Sequence, residues 1–203
     1  MMMDTKSHGG GFRPFFQEFW YPEWAGSTIY RYSPSGAPKG SFTAGIAQIM
    51  QVWGETTSEG WYGAHWGFAT VVRHAGVGTD MNWTVDIGMT ASGICADENY
   101  AYAIGNSDGL VWVTDKSSGA LVKKMALAGN VQGTLYGSLA VHKGLFYSGR
   151  AKLVTRFSVL TGQEVDSFAT TVDIYNMAFT GKAYCVSANS NSLYCHPIVG
   201  PCQ

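Results

Sequence analysis

Apolar and polar residues alternate with period two through most of this chain, and the alternation is broken at short intervals by Gly, Asn, Asp or Ser. Residues 153–168, LVTRFSVLTGQEVDSF, are the clearest case: two alternating runs joined by Leu160-Thr161-Gly162. Period-two alternation ended by a Gly-bearing turn predicts an antiparallel β-hairpin with one buried face. The pattern recurs along the chain. STIYRYS places Arg31 where ATVVRHA places Arg73, GLVWVTD places Val113, KLVTRFS places Arg156 and SLYCHPI places His196, with separations of 42, 40, 43 and 40 residues. A period near 40 predicts stacked equivalent units, none of which can bury its faces alone.

Each unit reads as four strands, a to d. Strands are predicted at 47–54, 60–66, 69–74 and 81–87 in the second unit, and at 91–96, 99–105, 109–115 and 120–127 in the third. The fourth has 135–141, 145–149, 153–159 and 164–169, and the fifth has 174–179, 183–188 and 192–198. The a strands are apolar on both sides and hold small residues such as Gly93, Gly137 and Ala178, as closely packed inner strands require. The d strands carry Lys123, Lys124, Glu164 and Asp166, as expected of an outer edge facing water. The expected fold is therefore all-β: a single β-propeller of five four-stranded blades over residues 12–203, preceded by a flexible segment, 1–11. In the first unit, residues 20–33 supply strands b and c, while its a strand has only the Gly-rich stretch before Phe16 to draw on. The fifth unit lacks a d strand. Residues 12–16 are expected to complete the last blade; a fragment, or a blade completed by an oligomer, are the alternatives.

Composition agrees with a fold of tight turns and aromatic strands: 46% hydrophobic, 13% charged, 14% aromatic, with 26 glycines. The net charge is −1 and the cations are scattered, which argues against nucleic-acid binding. No apolar run is long enough to form a transmembrane helix, and the first residues contain no apolar core of a signal peptide. Of the four cysteines, Cys185 and Cys195 lie symmetrically about position 190, so a hairpin turning there sets them opposite each other, close to disulfide range. Two separate small hydrophobes in strands are the alternative. Asn82-Trp83-Thr84 is a glycosylation sequon. Together these lean toward an extracellular or cell-surface setting.

The strand, TG or SG, strand pattern in SVLTGQEVDSF and VTDKSSGALVKKMAL resembles the repeats of quinoprotein-like, surface-layer YVTN-type and WD-type propellers. No blade ends in the Trp-Asp dipeptide of the WD family, and the tryptophan-docking motifs of quinoprotein dehydrogenases are absent. Among five-bladed propellers the tachylectin type is similar in size, and that resemblance implies a sugar-binding lectin.

Catalytic motifs are not found. The five histidines, His8, His65, His74, His142 and His196, form no metal spacing, no C-x-x-C exists, and neither a nucleophile elbow nor a phosphate loop is present. No cofactor or metal is expected. Asp86, Asp97, Glu98, Asp115 and Asp173 fall at strand ends or in turns, where such residues suit the turn itself. Aromatic residues are the stronger signal, and Trp24 and Trp66 fall at the b–c turns of the first two units. A tryptophan there offers a flat apolar face and one donor to a sugar or a partner side chain. Gln51, Tyr136, Ser138, Tyr175 and Asn176 lie on a strands, which line the central passage, and Gln51, Ser138 and Asn176, near mid-strand, are expected to face it; their alternative role is to hold water and satisfy backbone groups there. The expected function is thus a non-enzymatic binding module for a glycan or protein. A structural subunit of an extracellular assembly, with self-association, is the alternative, and an enzyme with carboxylates at the channel mouth ranks last.

Overall fold

The computed structural model describes residues 11–23, 25–106, 109–128, 138–174, 176–179, 183–188 and 192–197. Eighteen strands and no helix occur among them. The first sheet contains β1 (Gly11–Arg13), β2 (Glu18–Pro22), β3 (Thr28–Tyr32) and β4 (Pro38–Thr43). The second contains β5 (Ile49–Gly54), β6 (Trp61–His65), β7 (Thr70–His74) and β8 (Met81–Asp86), and the third β9 (Ala91–Ala96), β10 (Tyr100–Gly105), β11 (Leu110–Asp115) and β12 (Leu121–Ala126). Next come β13 (Ser138–His142), β14 (Leu145–Ser158) and β15 (Glu164–Ile174), then β16 (Asn176–Phe179), β17 (Ala183–Ala188) and β18 (Ser192–Pro197). Strands pair antiparallel in sequence order within every sheet.

β14 is not one straight strand. The Arg156 guanidinium lies 6.0 Å from the Tyr147 ring centroid, and the Val159 N–H donates to the Gly144 carbonyl at 3.0 Å. Nine extended residues would separate 147 from 156 by about 30 Å, so the chain doubles back near Ala151, whose φ is +45°. Leu145 to Gly149 pair with β13, and Leu153 to Phe157 pair with β15. The fourth sheet therefore has four rungs like the first three. Its outer pair is the 153–168 hairpin read in the sequence, with Arg156 opposite Asp166.

Among the described residues there are four four-stranded sheets, and β16, β17 and β18 form a sheet of three. This corrects the expectation of five four-stranded blades. Residues 12–16 do not complete the last sheet. β1 pairs with β2, with Phe12 opposite Phe19, and is the missing inner strand of the first unit. β1 contacts β5, β5 contacts β9, β9 contacts β13, β13 contacts β16, and β16 contacts β1, so inner strands close the ring by packing and not by a shared sheet.

Period-two alternation explains how each sheet serves two neighbours. In β10, Ala101 and Ala103 face the second sheet, beside Tyr62 and Trp83, while Tyr102 and Ile104 face the fourth, beside Phe146 and Phe157. Small residues on one face thus receive large ones from the next. Five apolar clusters result, one at each contact between neighbouring sheets. Burial falls outward, and β12 exposes five of its six residues.

Gln51 ties the inner strands together. Its Nε2 donates to the Leu139 carbonyl at 3.0 Å and the Met177 carbonyl at 3.1 Å, and its Oε1 accepts from the Ile94 N–H at 2.8 Å. Asn176 adds a bond from Nδ2 to the Met50 carbonyl at 3.1 Å. Both side chains are buried. Replacing Gln51 with leucine is expected to leave four backbone groups, the Leu139 and Met177 carbonyls and the Ile94 and Leu139 N–H groups, without that partner and to lower stability by about 2–4 kcal/mol, measured by urea unfolding; Asn176→Ala, which strands fewer groups, should cost less.

Candidate functional site

The ends of the inner strands gather at one mouth of the ring. The a–b turns after β1, β5, β9 and β13, with Lys116 after β11, enclose a cavity of about 660 Å³. Its floor is mostly apolar, from buried Phe12, Gly54 and Val141 and half-buried Trp53 and Ala96, with one buried carboxylate, Glu55. Asp97, Lys116 and His142 stand half-buried on the wall, and Thr56, Thr57, Glu98 and Lys143 are exposed at the rim. A cavity of this size, apolar with a few convergent polar groups, has the character of a ligand site.

Each polar group is held by its neighbours. Glu55 accepts from the Tyr62 hydroxyl at 2.8 Å, from Arg73 Nε at 3.1 Å, and from the Ser58 hydroxyl at 2.5 Å. Burial pushes its carboxyl up, but the bonds from Ser58 and Tyr62, with the charges of Lys116 and Arg73, outweigh this and hold it below the usual carboxylate range. Asp97 closes an Asx turn, accepting from the Asn99 and Tyr100 N–H groups at 2.9 Å, and its other oxygen takes the Tyr102 hydroxyl. Lys116 Nζ donates to the Asp97 carbonyl at 3.1 Å, and Trp53 Nε1 to the Ala96 carbonyl at 3.1 Å. Partial burial and then Lys143 lower the His142 pKa below its ordinary value, so the imidazole is neutral at neutral pH.

Of the residues proposed from sequence, Trp66, Gln51 and Asn176 have described side chains, and none of the three lines this cavity. Trp66 is half-buried in the β6–β7 turn, at the opposite mouth, where its backbone N–H donates to the Gln48 carbonyl at 2.9 Å. Gln51 and Asn176 do reach the axis, but their amides are engaged with backbone. Ser138 opens β13, and its side chain lies outside the described residues, as do Trp24, Tyr136 and Tyr175. Cys185 is directly opposite Cys195 in the β17–β18 register. The sequence reading missed Trp53, Glu55, Lys116 and His142 as a set. The repeat register held the signal: Glu55, Asp97 and Lys143 each follow an a strand directly, so they had to meet around the axis.

His65 and His74 belong to the first-to-second sheet contact. The His74 ring stacks on Trp61 at 3.7 Å and 0°, and His65 Nδ1 bonds the Ala47 carbonyl at 3.1 Å. Both are fully buried. Burial lowers their pKa values to about 4 for His65 and about 3 for His74, the latter helped by the positive charges of His65 and Arg13.

No family model matches the chain, and none of the curated proteins does. Among solved structures, glutaminyl cyclase from Myxococcus xanthus matches with a TM-score of 0.76 at 14% identity, over 96% of this chain and 91% of that one. The fold is propeller-like. At that identity the likeness establishes the fold alone. The finding runs against the expectation of a non-catalytic binding module: the propeller matched over nearly its whole length is an enzyme, so the absence of a local motif does not exclude catalysis.

The two buried histidines set an acid limit. Their folded pKa values lie below the unfolded value of 6.5, so between pH 6.5 and about 4 the unfolded chain binds more protons, and stability falls as pH falls. The loss through this window should be on the order of 3 kcal/mol for each histidine. Urea unfolding of His74→Phe across that window should show a shallower pH slope than the parent.

Proposed function

We propose that this protein is an enzyme, that the a–b mouth is its reaction chamber, and that it cyclises an amino-terminal glutaminyl residue. The observation that carries this reading is the cavity itself: a buried carboxylate, a neutral imidazole and an ammonium group converge over an apolar floor. The likeness to a glutaminyl cyclase supplies the reaction class.

In such a cyclisation the substrate's α-nitrogen attacks its own side-chain carboxamide carbon. A ring C–N bond forms, the C–NH2 bond breaks, ammonia leaves, and one proton moves from the attacking to the departing nitrogen. Nothing is oxidised or reduced. Glu55, kept ionised by its partners, is suited to holding the α-amino group by charge-assisted hydrogen bonding. His142, kept neutral, accepts the proton and returns it to the leaving nitrogen. Lys116 faces the oxyanion that develops on the carboxamide oxygen. Trp53 and Phe12 supply apolar wall for the substrate's methylenes.

The three-stranded sheet of β16 to β18 is, in this reading, a fifth blade, supported by its contacts with β13 and β1. A disulfide between Cys185 and Cys195, supported by their register, fits an extracellular setting. Intact mass before and after reduction, with and without Cys195→Ser, should show one bridge lost with that substitution.

Incubation with short glutaminyl peptides should release ammonia and yield the lactam by mass spectrometry. His142→Gln should lower kcat by about 100-fold or more, with the parent losing activity in acid below pH 6.5 as the imidazole protonates. Trp66→Ala at the opposite mouth serves as the comparison. If Trp66→Ala abolishes turnover while His142→Gln does not, the chemistry belongs to the other mouth; if no glutaminyl peptide reacts, the reading fails.

A further inference from the structure

Arg13 has no place in the scheme above, yet it is fully buried. It projects from β1 toward the second sheet, while its neighbours Phe12 and Pro14 line the cavity. Its guanidinium lies over the Trp20 ring, with Cζ 3.9 Å from the centroid. From there Nη2 donates to the Glu59 carbonyl at 2.7 Å and the Gly60 carbonyl at 3.1 Å. Those carbonyls end the β5–β6 turn, which contributes Glu55, Thr56 and Thr57 to the cavity and carries Ser58, the hydroxyl donor to Glu55. Space for the guanidinium exists because residue 54 is glycine: a β-carbon there would sit 2.3 Å from Arg13 Nε.

We infer that Arg13 is a positioning residue: a cation of the first sheet that fixes the second sheet's 55–60 turn, and through it the Glu55 carboxylate, in the cavity. The inference rests on the proposed function only for its kinetic consequence. A buried guanidinium is costly to desolvate, and burial lowers the Arg13 pKa to about 9 despite nearby Glu55 and Glu18. Simple packing would be served better by an apolar side chain. What an apolar residue cannot do is donate to two consecutive carbonyls of a turn that has no strand partner of its own. Lysine keeps the charge but offers a mobile point donor, so it should restore the turn in part.

The test compares Arg13→Met and Arg13→Lys in the full chain. Hydrogen exchange followed by mass spectrometry should show peptides covering residues 55–60 exchanging at least about tenfold faster in Arg13→Met, with Arg13→Lys between that variant and the parent, and β9 to β12 unchanged. With a glutaminyl peptide, KM should rise and kcat should fall several-fold each in Arg13→Met, because Glu55 holds the attacking α-amino group and a looser turn both binds it less well and aims it less well. Exchange that rises equally in all sheets, or does not rise at residues 55–60, would overturn the inference. Should Arg13→Met fail to fold, Arg13→Lys is read alone: unchanged exchange at residues 55–60 then overturns it as well. If the parent turns over no glutaminyl peptide, the loss falls on the proposed reaction, and the exchange data still decide the role of Arg13.

Discussion

The amide of Gln51 is the one side chain on which the arrangement of this ring turns. A propeller brings the inner edges of its sheets together, and each inner strand presents backbone groups that no fifth strand can pair. Water or side chains must satisfy them. Here one side chain, with two donors and an acceptor able to take two bonds, meets the third, fourth and last sheets at once. Such a plug crosses the axis and ties three inner strands to a fourth.

Around that plug the seams between sheets differ in kind. Those from the second sheet through the fourth are apolar, built by fitting large side chains against small ones. The first-to-second seam is aromatic and cationic, with Arg13 over Trp20 and Trp61 on His74. Glu18 lies within it, accepting from Trp20 Nε1 at 3.0 Å and Arg31 Nε at 2.8 Å. At this seam Glu18 is paired with Arg31 and Trp20, and Arg13 with the Glu59 and Gly60 carbonyls. The seam also holds the buried histidines, so the ring's acid sensitivity is concentrated there.

Much of the fold was legible because strands announce themselves by alternation and the repeats by their spacing. The 153–168 hairpin, the b–c turn at Trp66 and the pairing of Cys185 opposite Cys195 all follow from counting residues. Two features were hidden by weak local signals. β1 is only three residues long and sits beside glycines, so it resembled a tail; Gly11 is in fact required, since a β-carbon there would lie 1.7 Å from the Val52 carbonyl oxygen. Tryptophans are an ambiguous signal, because bulky aromatics mark cores as readily as sites: Trp20 and Trp61 are fully buried. The cavity residues carry no motif at all: Glu55, Lys116 and His142 come from three sheets, and only closure of the ring makes them neighbours.

Closure through contact between β1 and β16 has a consequence for how the chain is made. The apolar face formed by Phe12, Phe19 and Tyr21 is covered by Ala178, a residue some 160 positions later. During synthesis at roughly 5–20 residues per second, that face leaves the ribosome and waits many seconds for its cover. Contacts so distant in sequence also form slowly once the chain is complete. The nascent protein therefore spends its early life as an open arc with sticky ends, and its yield in a cell depends on whatever shields those ends until the last sheet arrives.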